Sequence, residues 1–296
     1  MAANALGIRH HPETWQMIHP PIRRNRHALR AAALLPLALA SGLACAQRSP
    51  ALDRVSIWLG GYDAHADTTI GASDKSHQYG GDFNLEDDLG FSDRKRVPRA
   101  RLDFLVGDSQ GFSLDYYSVN RTRSQGLARS ISYAGNDYAA AAQVRGKLNF
   151  DFGSASYRWW FGHGNDVFGL GLGGAYYRVH ASISGQASVN GEPVGEASSS
   201  TSDGAWAPML QLGWRHAFNE QWRMYLDAAG VKKNGGRLSG HIVNAALGVE
   251  WFPWQNVGFG AEYGYSRVVL HQRKQAYDAN LDMKLDGPSL FVRLRF

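Results

Sequence analysis

From about residue 54 onward, apolar and polar side chains alternate with a period of two in one segment after another. The last segment is the clearest: Leu290, Val292, Leu294 and Phe296 interleave with Ser289, Phe291, Arg293 and Arg295. Trp222, Met224, Leu226 and Ala228 interleave in the same way with Arg223, Tyr225 and Asp227, and Val243, Ala245, Leu247, Val249 and Trp251 with Asn244, Ala246, Gly248 and Glu250. Such a period sends successive side chains to opposite faces of a strand. Short polar segments at 107–110, 162–166, 219–221 and 253–256 read as tight turns between these runs. The pattern predicts ten strands, at 54–64, 97–106, 111–122, 144–161, 167–181, 205–218, 222–232, 239–252, 257–270 and 281–296. One misread hairpin changes the count to eight or twelve. In the fourth strand, Leu148, Phe150 and Phe152 share one parity and Ala155, Tyr157, Trp159 and Phe161 the other, which predicts a bulge at Gly153-Ser154 that restores one apolar face.

Arg293 and Arg295 on one face of the final strand do not suit a soluble sandwich, which would bury one face of every strand. They suit a sheet closed on itself in lipid, with apolar side chains outward and charged ones toward the lumen. After residue 46 there is no run of even a dozen uninterrupted apolar residues, which excludes a helical span. The 34 glycines and the 12% aromatic content fit glycine-rich strands between aromatic girdles. The expected fold is therefore all-β, a transmembrane antiparallel up-and-down β-barrel in a bacterial outer membrane. Its short turns are periplasmic and its longer connections external. The first external connection, 65–96, carries Glu86-Asp87-Asp88 and Asp93-Arg94-Lys95-Arg96. The third, 182–204, is small, polar and rich in serine, the composition of a mobile loop.

Upstream, Arg23, Arg24, Arg26 and Arg30 precede an apolar run from 31 to 40 and then Ala44-Cys45-Ala46. This is the layout of a secretory signal peptide, so residues 1–46 are expected to be an extension plus cleaved leader and 47–296 the barrel. Met1 and Met17 both remain candidate starts, and Cys45, the one cysteine, is either removed or lipidated. The net charge of +5 lies mostly in the leader, which holds five of the 31 basic residues and one of the 26 acidic ones. The chain beyond Ala46 is nearly neutral, which argues against nucleic acid as a partner.

Parity collects Arg101, Asp103, Asp115, Asp151, Arg158, Arg215, Arg223, Asp227, Glu250, Glu262, Arg293 and Arg295 on the lumenal side, since a charge facing lipid costs several kcal/mol. Such a set either fills a narrow barrel with ion pairs or lines a selective passage. Asp82, Asn84, Glu86 and Asp88 have the two-residue spacing of calcium-loop ligands. Asp87, however, stands where that loop needs glycine, so no metal site is expected. The histidines are scattered without metal-ligand spacing. The run from Gly169 to Gly174 places glycine at inward strand positions, making room for bulky neighbours. No catalytic residue, metal or cofactor is expected.

Leu85-Glu86-Asp87-Asp88-Leu89-Gly90, and Asp286-Gly287-Pro288-Ser289-Leu290-Phe291 running into Leu294-Arg295-Phe296, resemble segments of proteobacterial outer-membrane barrel proteins without an assigned activity. The closing Phe resembles the C-terminal recognition strand of such barrels. This implies assembly by the barrel-assembly machinery through Leu290, Val292, Leu294 and Phe296. Expected partners are outer-membrane lipids and lipopolysaccharide, the latter through Glu86, Asp87, Asp88 and the 94–96 cluster. The leading functional expectation is a structural or surface-interaction barrel that is not an enzyme. A narrow solute channel comes next, then an outer-membrane protease or lipid A hydrolase. Ten strands match the omptin proteases, whose Asp-x-His pair Asp63-Ala64-His65 imitates in spacing, but on the parity of Val55, Ile57 and Leu59, the lipid-facing set.

Overall fold

The computed structural model describes residues 49–74, 80–126, 131–133, 136–138, 143–189, 192–274 and 277–296. The leader and Cys45 lie outside them. Ten long strands form the wall: β1 (Val55–Asp74), β2 (Arg94–Val106), β3 (Gln110–Gly126), β4 (Gln143–His163), β5 (Asp166–Val189), β6 (Glu192–Ala217), β7 (Trp222–Lys233), β8 (Leu238–Trp251), β9 (Val257–Arg273) and β10 (Tyr277–Arg295). Each pairs antiparallel with its sequence neighbours, and β1 pairs with β10, so the sheet closes without a free edge. Closure satisfies the backbone hydrogen bonds within the wall, the condition for crossing a membrane with strands. Val55 and Phe296 exchange backbone hydrogen bonds of 3.2 and 2.9 Å, stitching the two ends of the barrel together.

The outward positions carry an apolar belt. It includes Leu59, Phe112, Leu114, Leu170, Leu172, Leu210, Leu212, Leu226, Leu247 and Phe259, all exposed, together with Leu290 at 74% and Phe296 at 65%. Tyr116, Tyr176, Trp206, Tyr263 and Tyr265 mark its outer margin. Phe161, Phe218, Trp222, Trp251 and Trp254 mark the periplasmic one, the aromatic girdles of a membrane barrel.

The strands outrun this belt on the external side. β5 continues from Tyr176 to Val189, roughly 40 Å along the strand at ~3.3 Å per residue. It stays paired with β6 from Asp166↔His216 to Val189↔Glu192. The expected mobile loop at 182–204 is therefore largely a projecting hairpin, because a Ser- and Thr-rich strand with water outside satisfies its backbone by pairing. β1 likewise runs on to Asp74, where Gly80–Asn84 folds back against it.

The expected bulge in β4 is absent. Its register against β3 and β5 is continuous through Gly153 and Ser154. Leu148, Phe150 and Phe152 point into the barrel and are buried, on the same face as Ser154, Ser156 and Arg158. The phase change in the sequence is real but has another cause. Beyond the belt the outside is water and the inside is dry, so the apolar side chains change faces without the backbone slipping a residue.

Candidate functional site: a layered and filled lumen

The lumen is built in layers, and its content is dictated by which side chains the inward parity supplies at each level. At the periplasmic end the segment before β1 folds into the mouth. Ala51 and Leu52 pack with Val167, Ala217, Leu105 and Trp160, and Ser49 Oγ donates to the Gly164 carbonyl at 2.5 Å. Asp53, next in the chain, receives Arg223 Nη1 at 2.7 Å and lies 3.6 Å from Arg293 and 3.9 Å from Arg295. Arg293 also donates to Glu250 at 2.6 Å and to Ser56 at 2.8 Å, with Asp103 at 3.7 Å.

Above this layer Trp58, Tyr225 and Phe291 form an aromatic cluster, with Trp58 and Phe291 stacked at 4.8 Å. These rings fit because the opposing inward positions are glycine: a Cβ on Gly60 would run into Trp58, one on Gly248 into Tyr225, and one on Gly260 into Phe291. Gly169 and Gly213 do the same for Trp160.

The next layer centres on Asp227, which holds three guanidinium groups: Arg215 at 2.8 Å, Arg101 at 3.1 Å and Arg158 at 3.2 Å. Beside it Arg99 makes a two-bond pair with Asp115 (3.0 and 2.6 Å) and lies 3.5 Å from Glu262, which accepts the Tyr225 hydroxyl at 2.5 Å. Arg215 lies between the rings of Trp160 and Tyr225, 5.2 and 5.0 Å away, and Arg101 lies 5.7 Å from the Trp58 ring. A planar cation that stacks and forks at once explains why the basic residues of these layers are all arginine. Over them is a cavity of about 60 Å³, lined by Arg99, Asp115, Asp227 and Glu262 below and by Val97, Phe152, Met209 and Leu285 above. At that size it has room for a few water molecules.

The external half of the lumen is mostly apolar. Val119, Leu148, Phe150, Tyr177, Val268, Leu270, Met283 and Leu285 project from the wall, and the first external connection folds in above them with Phe83, Leu85, Leu89 and Phe91 buried in the same cluster. Arg121, side chain 3% exposed, pins that segment. It forms a short ion pair with Glu86, donates to Thr68 Oγ1 at 2.9 Å, and donates to the Ser92 carbonyl at 2.6 Å. Glu86 also accepts the Thr68 N–H at 2.8 Å, and Asp88 accepts the Asn84 N–H at 2.8 Å.

All the residues assigned to the lumen by parity are found there except Asp151. That carboxylate faces outward, accepting Ser118 Oγ at 2.7 Å and the exposed Tyr116 hydroxyl at 3.5 Å. It lies above the belt, where the penalty for facing lipid no longer applies and an outward acid meets water. Glu86 and Asp88 are turned into the barrel; of that acidic triplet only Asp87 is exposed. Among the described residues no group of three or more His, Cys, Asp or Glu is placed to hold a metal ion. Asp63 and His65 face outward, with His65 3.8 Å from Asp93. Sequence reasoning missed Asp53, Arg99 and the Glu86–Arg121 pair. Arg99 shares the parity of Arg101 and was available from the pattern. Asp53 precedes any alternation, and the Glu86–Arg121 pair joins a loop to a strand 35 residues away.

No family model and no curated protein sequence matches the chain. Among solved structures, the outer membrane protease OmpT from Escherichia coli aligns with a TM-score of 0.52 and 9% identity, over 82% of this chain and 96% of that one. The translocator domain of the autotransporter NalP from Neisseria meningitidis aligns at 0.44 and 13% identity, over 91% and 97%. The outer membrane protein OprG from Pseudomonas aeruginosa aligns at 0.37 and 10% identity, over 84% and 99%. At such identities the likeness to OmpT is one of fold. The chain has the closed ten-strand barrel of outer-membrane proteins, and its place is the bacterial outer membrane.

Proposed function

We propose that this outer-membrane barrel acts from its external surface, as a structural and interaction scaffold without catalytic or conducting activity. The single observation that supports this reading is that the chain folds into the lumen at both ends. Residues 49–53 pack into the periplasmic mouth, and the segment bearing Phe83, Leu85, Leu89 and Phe91 packs into the external half. Between them the guanidinium and carboxylate groups are spent on one another, which suits a rigid wall better than a passage that must exchange ions. Its projecting hairpins supply the surface on which partners would act, lipopolysaccharide and other outer-membrane lipids first among them. The outward row Leu290, Val292, Leu294 and Phe296 suits recognition by the assembly machinery.

The test is single-channel recording of the folded protein in a planar bilayer. A silent barrel is the expected result. Reproducible conductance steps that change on Arg215→Ala or Glu262→Gln would replace this reading with that of a narrow channel.

A further inference from the structure

Above the layer centred on Asp227, the inward positions of β7, β8 and β9 carry the small residues Ala229, Ala246 and Gly264, which make room for the cavity of about 60 Å³. Side chains that line it bring four polar atoms with no hydrogen-bond partner among the described residues: the Tyr117 and Ser266 hydroxyls, Asn244 Oδ1 and Arg158 Nε. Tyr117 is 6% exposed and Ser266 8%, so bulk water does not serve them. Their two hydroxyls lie near one another but out of hydrogen-bonding geometry. The other two nitrogens of the Arg158 guanidinium donate to Asp227 and Gln211, which leaves Nε over. Polar groups buried in this way are costly unless something in the cavity meets them.

The four atoms specify what that is. Arg158 Nε can only donate and Asn244 Oδ1 can only accept, while the hydroxyls do either. An anion would oppose Asn244 Oδ1, and a cation would oppose Arg158 Nε. The charges on the lining are also balanced, with Arg99, Arg101 and Arg158 set against Asp115, Asp227 and Glu262 and paired with them. The ligand is therefore neutral, donates and accepts at once, and is small. Water has those properties, and a cavity with several convergent polar groups binds it where a purely apolar one stays dry.

We infer that this cavity is a hydration site, in which a small cluster of bound water joins Tyr117, Ser266 and Asn244 to Arg158 and the ion pairs beneath. The four side chains come from β3, β9, β8 and β4, so the cluster ties distant parts of the wall together across the lumen. The inference concerns the interior alone and is independent of what the external surface binds.

Nuclear magnetic resonance of the folded protein in detergent micelles tests it, with the methionine methyl groups isotope-labelled. Met209 lines the cavity, whereas Met283 is fully buried in the apolar cluster and does not. The expected result is a cross-peak between the Met209 methyl and water, with the sign of long-lived bound molecules, and none at Met283. Urea unfolding adds a readout whose direction differs between a wet and a dry cavity. With water bound, Tyr117→Phe and Ser266→Ala each lose a hydrogen bond and lower the folding equilibrium constant about fivefold. In a dry cavity the same changes delete an unpaired hydroxyl and raise it. Each variant removes a single oxygen atom, so the barrel still folds. Absence of the Met209 cross-peak, an equal one at Met283, a Met209 methyl shift under xenon in place of the water signal, or a raised folding constant in both variants would each overturn the assignment.

Discussion

Arg121 and Glu86 are the pair on which the external seal depends most directly. Arg121 is buried and Glu86 half-buried, at the centre of hydrogen bonds reaching Thr68 and Ser92. Removing one partner strands the other charge in an apolar surround, so Arg121→Leu or Glu86→Leu alone should cost about 3–5 kcal/mol in urea unfolding, while the double replacement should cost far less than the sum. Additive losses would mean that the two side chains do not act as a pair. A similar argument applies to Asp53. Asp53→Asn leaves Arg223 and Arg293 without their shared carboxylate, and a fall of ~2–4 kcal/mol in unfolding free energy is expected. The acids at 86 and 88 looked like surface groups in the sequence because nothing local distinguishes a solvated acid from one whose partner arrives from another strand.

Strand β4 shows how an element can be read correctly and its side chains still be misplaced. Its existence and ends followed from alternation, but the change of parity near Gly153 admitted two explanations: a slip of the backbone or a change of surroundings. The second holds, since pairing with both neighbours runs unbroken. Phe150→Ala therefore removes a fully buried ring and should destabilise by about 3–5 kcal/mol, where Asn149→Ala on the opposite face should change stability by less than ~0.5 kcal/mol. Equal effects at the two positions would bring the bulge back. The β5–β6 hairpin adds a second lesson at this scale. Its outer half pairs outside the belt, so deleting residues 186–196 is expected to leave the heat-resistant gel migration of the folded barrel intact, and loss of that migration would show that the extension helps the wall to close.

At the scale of the whole molecule, segments of the chain fold into the lumen at both ends of a closed sheet, and on the proposed reading a silent bilayer recording is the expected outcome. The fold class, the number of strands, the periplasmic turns and the lipid-facing set all came from period-two alternation, because the bilayer imposes one penalty on every outward position and so writes a single rule along the chain. The inward charges within the belt were legible by the same rule. What fills the lumen was not. Whether an inward position meets water, a guanidinium or a phenylalanine depends on residues contributed from across the barrel, and on two segments, one before β1 and one between β1 and β2, that turn into it. Only the closed sheet brings Asp53 to Arg223 over 170 residues of sequence, and Arg101 to Asp227 over 126. Alternation along one strand carries no record of such meetings, so the wall was determined by the sequence read alone and its contents by the tertiary structure.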